Sequence, residues 1–172
     1  MLKSATLRQA SRAMAALALA APLLVVAAQP AAIAHEVKAG NLEVQQPWSR
    51  ATPPGAKVAG GYFVIINSGD TPDRLVSATA DIAGRVEIHE MNVKDGIMTM
   101  REMPNGIEVP AKGEVAFKPG SYHVMFLDLK KAPKQGEAFA GTLTFEKAGT
   151  VSVSFAVEAI GATPTGKGSH NH

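Results

Sequence analysis

The chain has 172 residues, with 17 Lys+Arg against 15 Asp+Glu and no cysteine. So even a charge balance leaves no basic stripe for nucleic acid or an anionic membrane surface. The absence of cysteine excludes disulfides and every thiolate metal site, including the His-His-Cys set of a blue-copper electron carrier.

Residues 1–34 read as a secretory leader. Lys3, Arg8 and Arg12 make a basic start without an acidic residue, Met14 to Ala28 is rich in Ala, Leu and Val, and Ala32-Ile33-Ala34 fits a small-x-small cleavage pattern. The apolar run falls short of the ~20 residues that a membrane span needs. No twin-arginine pair is present, so the expectation is general secretory export to the periplasm, with no membrane span after cleavage. Cleavage after Ala34 would leave 138 residues starting at His35, with 14 basic and 15 acidic side chains. That length suits one domain with its own core, expected over 35–160, followed by a flexible tail over 161–172.

From His35 onward the pattern is that of β-strands, without a convincing helical stripe. A first short strand is expected over 40–47, ending before Pro47-Trp48. Thr52-Pro53-Pro54-Gly55 follows as a rigid loop, then a buried strand from Val58 to Asn67 in which Gly60-Gly61 signals a bulge or a close backbone approach. Asn67-Ser68-Gly69-Asp70 is a turn. Further strands are expected at 73–80, 84–94, 97–103, 113–118 and 122–129, and two more, Glu137–Lys147 and Thr150–Ile160, meet at Lys147-Ala148-Gly149. Seven to nine short strands at this spacing predict an all-β sandwich or small Greek-key barrel.

Five of the seven methionines and two of the five histidines fall within residues 84–126: His89, Met91, Met98, Met100, Met103, His123 and Met125. Asp95-Gly96 is a favoured type I′ hairpin turn. With those two residues as the loop, Lys94 faces Ile97, Val93 faces Met98 and Met91 faces Met100, and His89 lies diagonal to Met100 on the same face. His123-Val124-Met125 presents a second imidazole and sulfur on one face. Methionines on strands commonly fill cores, and that alternative applies to Met98 and Met103 in particular. Two His-x-Met pairs in a chain otherwise poor in methionine favour a soft-metal site, and thioether with imidazole selects Cu(I).

His89, ten intervening residues, Met100, 22 more, then His123-x-Met125 resembles the periplasmic copper chaperone family PCuAC, whose pattern is His-x10-Met-x21/22-His-x-Met. Trp48-Ser49-Arg50-Ala51-Thr52-Pro53, Gly60-Gly61-Tyr62, Asp95 to Arg101, Lys118 to Met125 and Leu143-Thr144-Phe145-Glu146 are similar as well, so the likeness covers roughly 37–157. The resemblance implies a cupredoxin-like β-barrel or sandwich that holds Cu(I) through His89, Met100, His123 and Met125, with Met91 as an accessory. It further implies delivery of copper to the CuA centre in subunit II of cytochrome c oxidase, or to another copper-delivery protein; the carrier is expected to be a monomer. A copper-resistance or storage protein using the same ligands is the alternative.

His35, as a new N-terminus, and His170 and His172 on the tail are candidate accessory ligands for Cu(II), which suits nitrogen donors. Nothing points to an enzyme. His89-Glu90 is not continued into His-Glu-x-x-His, and neither Gly-x-Ser-x-Gly nor Gly-x-Gly-x-x-Gly occurs.

Overall fold

The computed structural model describes residues 36–163. The expected leader, His35, and the tail histidines His170 and His172 lie outside these described residues. Eleven strands follow in chain order: β1 Glu36–Ala39, β2 Leu42–Arg50, β3 Val58–Asn67, β4 Asp73–Ala80, β5 Arg85–Lys94, β6 Ile97–Glu102, β7 Ile107–Val109, β8 Glu114–Phe117, β9 Tyr122–Leu127, β10 Ala138–Phe145 and β11 Gly149–Glu158. Among the described residues there is no helix, and so none long and apolar enough to cross a membrane.

The strands form one continuous ladder in the order β6-β5-β9-β8-β3-β2-β11-β10-β4-β7, with β1 paired to β2 and a further pairing of β9 with β3. The two ends of the ladder, β6 and β7, do not pair, so the sheet is folded over on itself without closing. The all-β, cupredoxin-like architecture expected from the sequence is therefore present, with more strands than the seven to nine anticipated. The two extra elements, β1 and β7, are four and three residues long, too short to display an alternating pattern.

All six phenylalanines of the chain are buried: Phe63, Phe117, Phe126, Phe139, Phe145 and Phe155. Phe126 on β9 meets Phe155 on β11 and Phe139 on β10 edge-on, each at 5.3 Å between ring centroids. Phe139 stacks on Phe155 at 5.2 Å, and Phe63 stacks on Phe117 at 4.4 Å. Burying each such ring contributes about 1.5–3 kcal/mol, and with no cysteine available this burial carries the fold.

Strand β2 does not stop at Pro47. Gln46 takes a left-handed φ of 48°, and its pairing with β3 shifts between Gln45 and Trp48. This bulge absorbs Pro47, which has no N–H to donate, and lets the strand continue so that Trp48 faces Tyr62. The irregularity thus sits on β2, whereas Gly60-Gly61 runs in regular register with β9. Gly61 serves the close approach instead: a Cβ there would lie 2.6 Å from both Phe126 Cζ and Val124 Cγ2.

Buried polar side chains fix the turns. Asn67 donates from Nδ2 to the carbonyl of Thr71 at 2.9 Å, and its Oδ1 accepts from the amide of Gly69 at 2.9 Å. Asp73 accepts from the amides of Arg74, Lys147 and Ala148 at 2.7–3.0 Å, tying the start of β4 to the β10–β11 turn.

Gly61→Ala is expected to lower stability by about 1–3 kcal/mol through overpacking against Phe126 and Val124. Urea unfolding measures it, and an unchanged midpoint would contradict the close approach.

Candidate metal centre

The site grows from the pleat of β9. Val124 and Phe126 point into the core, both with no exposed surface. Period two therefore sends His123 and Met125 to the opposite face. On β5, Ile88 is buried in the same core, which turns Glu87, His89 and Met91 the other way. The two strands pair antiparallel with His89 directly opposite His123 and Glu87 opposite Met125.

The β5–β6 hairpin adds the second side. Asp95 and Gly96 both take positive φ, 52° and 77°, as a type I′ turn requires. The register is the one expected from the sequence: Met91 opposite Met100, Val93 opposite Met98, Lys94 opposite Ile97. His89 faces Glu102, with Met100 on the diagonal. The pairing of β5 with both neighbours thus brings His89, Met100, His123 and Met125 onto one face, with Met91 beside Met100. Met98 shares this face farther out, while Met103 packs against the core.

The imidazoles form a buried floor. Their ring centroids lie 5.8 Å apart; His123 is 5% exposed, and the His89 side chain is 12% exposed. His89 Nε2 lies 2.8 Å from Glu87 Oε2, and His123 Nδ1 lies 3.1 Å from the Ser121 carbonyl. A carboxylate and a carbonyl can only accept, so each of these ring nitrogens carries the proton. The lone pairs are left on His89 Nδ1 and His123 Nε2. Among the described residues His89 Nδ1 is buried without a hydrogen-bond partner, an arrangement that costs about 1–3 kcal/mol unless something occupies the lone pair. Glu87 is held in turn by Arg85, whose Nη1 contacts Oε1 and whose Nε lies 3.3 Å from Asp128 Oδ2.

Burial lowers the His123 pKa below its ordinary value of 6.5, with the neighbouring His89 acting in the same direction and the Ser121 carbonyl opposing both. The ring is thereby kept neutral and available as a donor. Among the described residues no three His, Cys, Asp or Glu side chains converge as a metal site. A cation held here needs thioethers to complete its shell. Two imidazole nitrogens and thioether sulfurs, all neutral, fit Cu(I) and suit harder divalent ions poorly.

An aromatic wall borders Met125. Gly60 is paired with Met125 on β3 and lacks a side chain, so the Tyr62 ring leans over it; a Cβ there would meet Tyr62 Oη at 2.6 Å. Tyr62 packs against Trp48 at 4.6 Å, and Arg50 Cζ lies 5.9 Å from the Tyr62 ring centre. Sequence alone assigned Trp48, Arg50 and Tyr62 no role at the site, and none to Glu87 or Ser121. Glu87 lies two residues before His89 on the same strand, so strand periodicity was the available signal for it, whereas the Ser121 contact is made by a backbone carbonyl ahead of β9 and carries no signal in the sequence.

The family model described as LpqE-like matches residues 42–157. Lxx21020 of Leifsonia xyli subsp. xyli (strain CTCB07), named as a lipoprotein, is 30% identical over 121 residues, covering 70% of this chain and 72% of that protein. The copper-bound PCuAC domain from PmoF2 is 34% identical with a TM-score of 0.63, over 73% of this chain and 98% of that domain. The Cu(I) form of DR1885 from Deinococcus radiodurans is 25% identical with a TM-score of 0.55, over 73% and 81% of the two chains.

Long-range 1H–15N spectra of the metal-free protein are expected to show the Nε2–H tautomer for His89 and Nδ1–H for His123. The His123 ring is expected to titrate below 6.5. Its contribution to stability is complete above 6.5 and is lost as pH falls through the lowered value. A ring titrating at or above 6.5 would contradict the burial.

Proposed function

Because the chain belongs to the LpqE-like, PCuAC-type family of copper-binding domains, we propose that it is a periplasmic metallochaperone that carries Cu(I) on His89, Met100, His123 and Met125. The observation that carries this reading is the buried, unpartnered Nδ1 of His89, directly across β5–β9 from a second histidine with a free ring nitrogen. Copper is cargo here, and the activity is binding and transfer.

The ligand roles follow from the chemistry of each side chain. The two imidazoles fix the ion's position from below, because Glu87 and Ser121 hold their rings in one tautomer. Met125 lies between the floor and the Tyr62 wall. Met100, 44% exposed on the outermost strand, is the ligand an acceptor can displace first. No donor has to lose a proton to bind Cu(I), so loading and unloading are ligand exchanges without proton release.

The signal-like residues 1–34 support export to the periplasm, where the absence of cysteine frees the site from oxidation to disulfides. The acceptor this reading calls for is a copper-accepting protein such as subunit II of cytochrome c oxidase with its CuA centre, or another copper-delivery protein.

Cu(I) titrated against a competing chelator tests this assignment. The parent is expected to take one tight equivalent, and His89→Ala, His123→Ala, Met100→Leu and Met125→Leu each to weaken it by about tenfold or more, equivalent to about 1.4 kcal/mol. A parent that does not compete, or variants that bind as it does, would reduce the His/Met face to packing. Incubation of the loaded protein with a copper-free CuA domain then separates delivery from storage, since a storage protein retains the ion.

A further inference from the structure

Beyond its root the β5–β6 hairpin leaves the aromatic core. The face that carries His89 continues towards the turn as Met91 and Val93 on β5 and as Met100 and Met98 on β6. Over the same stretch the opposite face is polar, with Glu90, Asn92, Thr99 and Arg101, and Arg101 Nη2 lies 2.6 Å from Glu90 Oε2. Nothing in the buried core covers the apolar side. Val93, Met98 and Met100 on that side are 58%, 62% and 44% exposed, and none of them joins the core cluster against which Met103 packs.

Filling a core does not explain methionine at positions without a core. Their register does suggest a role. Met91 stands directly opposite Met100, and Met98 lies diagonal to Met91 on the same face. Directly opposed Cβ atoms are about 4.5–5.5 Å apart and diagonal ones about 7–8 Å, within reach of flexible thioether arms closing on one ion. Three neutral sulfurs select Cu(I) or Ag(I). Strand β6 ends the ladder, so this group also lies where another molecule can approach.

We propose that Met91, Met98 and Met100 form a second soft-cation site on the hairpin, through which Cu(I) enters and leaves the imidazole floor, with Met100 common to both positions. The passage rests on the copper-carrier reading above, whereas binding at the three sulfurs does not. Each step replaces one neutral donor by another on an ion of unchanged charge, so neither an electron nor a proton moves.

Ag(I), a redox-inert soft probe, tests the site, read through the 13C-methyl resonances of methionine in the purified protein. In His89→Ala/His123→Ala, silver is expected to shift the methyls of Met91, Met98 and Met100 and to leave Met103 in place. Adding Met98→Leu is expected to weaken that binding by about tenfold. The same methyls are followed in the parent beyond one equivalent, so that a double variant that does not fold leaves the question answerable. In the otherwise unaltered chain, Met98→Leu is expected to slow removal of Cu(I) by a chelator about fivefold while the equilibrium affinity stays within about twofold. Methyls of Met91 and Met98 that stay fixed at saturating silver would overturn the second site, whether or not the histidines bind. Shifted methyls with an unchanged removal rate would overturn the passage. Methyl shifts without any perturbation of the His89 and His123 rings in the parent would uphold the second site and count against the primary one.

Discussion

The antiparallel register of β5 on β9 is the constraint on which the site depends. It sets His89 against His123 and Glu87 against Met125. A slip of β5 by one residue, with β9 in place, would turn Glu87 and His89 inward and bring Ile88 out to solvent. The register is therefore enforced from the core side. Phe126 lies edge-on to both Phe139 and Phe155, which holds the faces of β9, and the buried Ile88 holds those of β5. In this sense the donors are positioned by a hydrophobic contact on the far face of the strand that carries them.

Much of this was readable from the residues, and the unread parts share a cause. The Asp95-Gly96 turn fixed the whole β5–β6 register, because a two-residue hairpin leaves no freedom in pairing. The alternation of His123-Val124-Met125-Phe126 separated donor from core positions. That β9 lies beside β5 could not be read, since the contact joins segments far apart in the chain and period two states only which face a residue takes. Pro47 looked like a strand end because its missing N–H breaks a ladder; the bulge at Gln46 supplies the compensation. The strands β1 and β7 carry too few residues to alternate. Glu87 was on the correct face by parity, but its role as partner of His89 Nε2 depends on the side-chain conformation, which sequence does not specify.

The glycines on β3 show how packing and site are joined. Gly61 admits Phe126 and Val124 from the core side, while Gly60, one residue earlier and on the other face, admits the ring of Tyr62 beside Met125. The same dipeptide thus lets β9 be approached closely on both faces. A pair of β-branched residues there, the ordinary choice for a buried strand, would push Phe126 out of its aromatic contacts and Tyr62 away from the site together.

The division of burial between the two types of proposed ligand has a physical logic. An imidazole competes with protons for its lone pair, and burial removes that competition by lowering its pKa, as it does for His123. A thioether has no such competition at any ordinary pH and loses nothing by standing in water. Placing the histidines beneath the surface and the methionines towards the open edge therefore shields the donors that need shielding. Those that exchange freely are left within reach of another protein. The reverse arrangement would bind the same ion with the same atoms, but its exposed imidazoles would be protonated as the pH fell and its buried sulfurs could not be displaced by an incoming ligand.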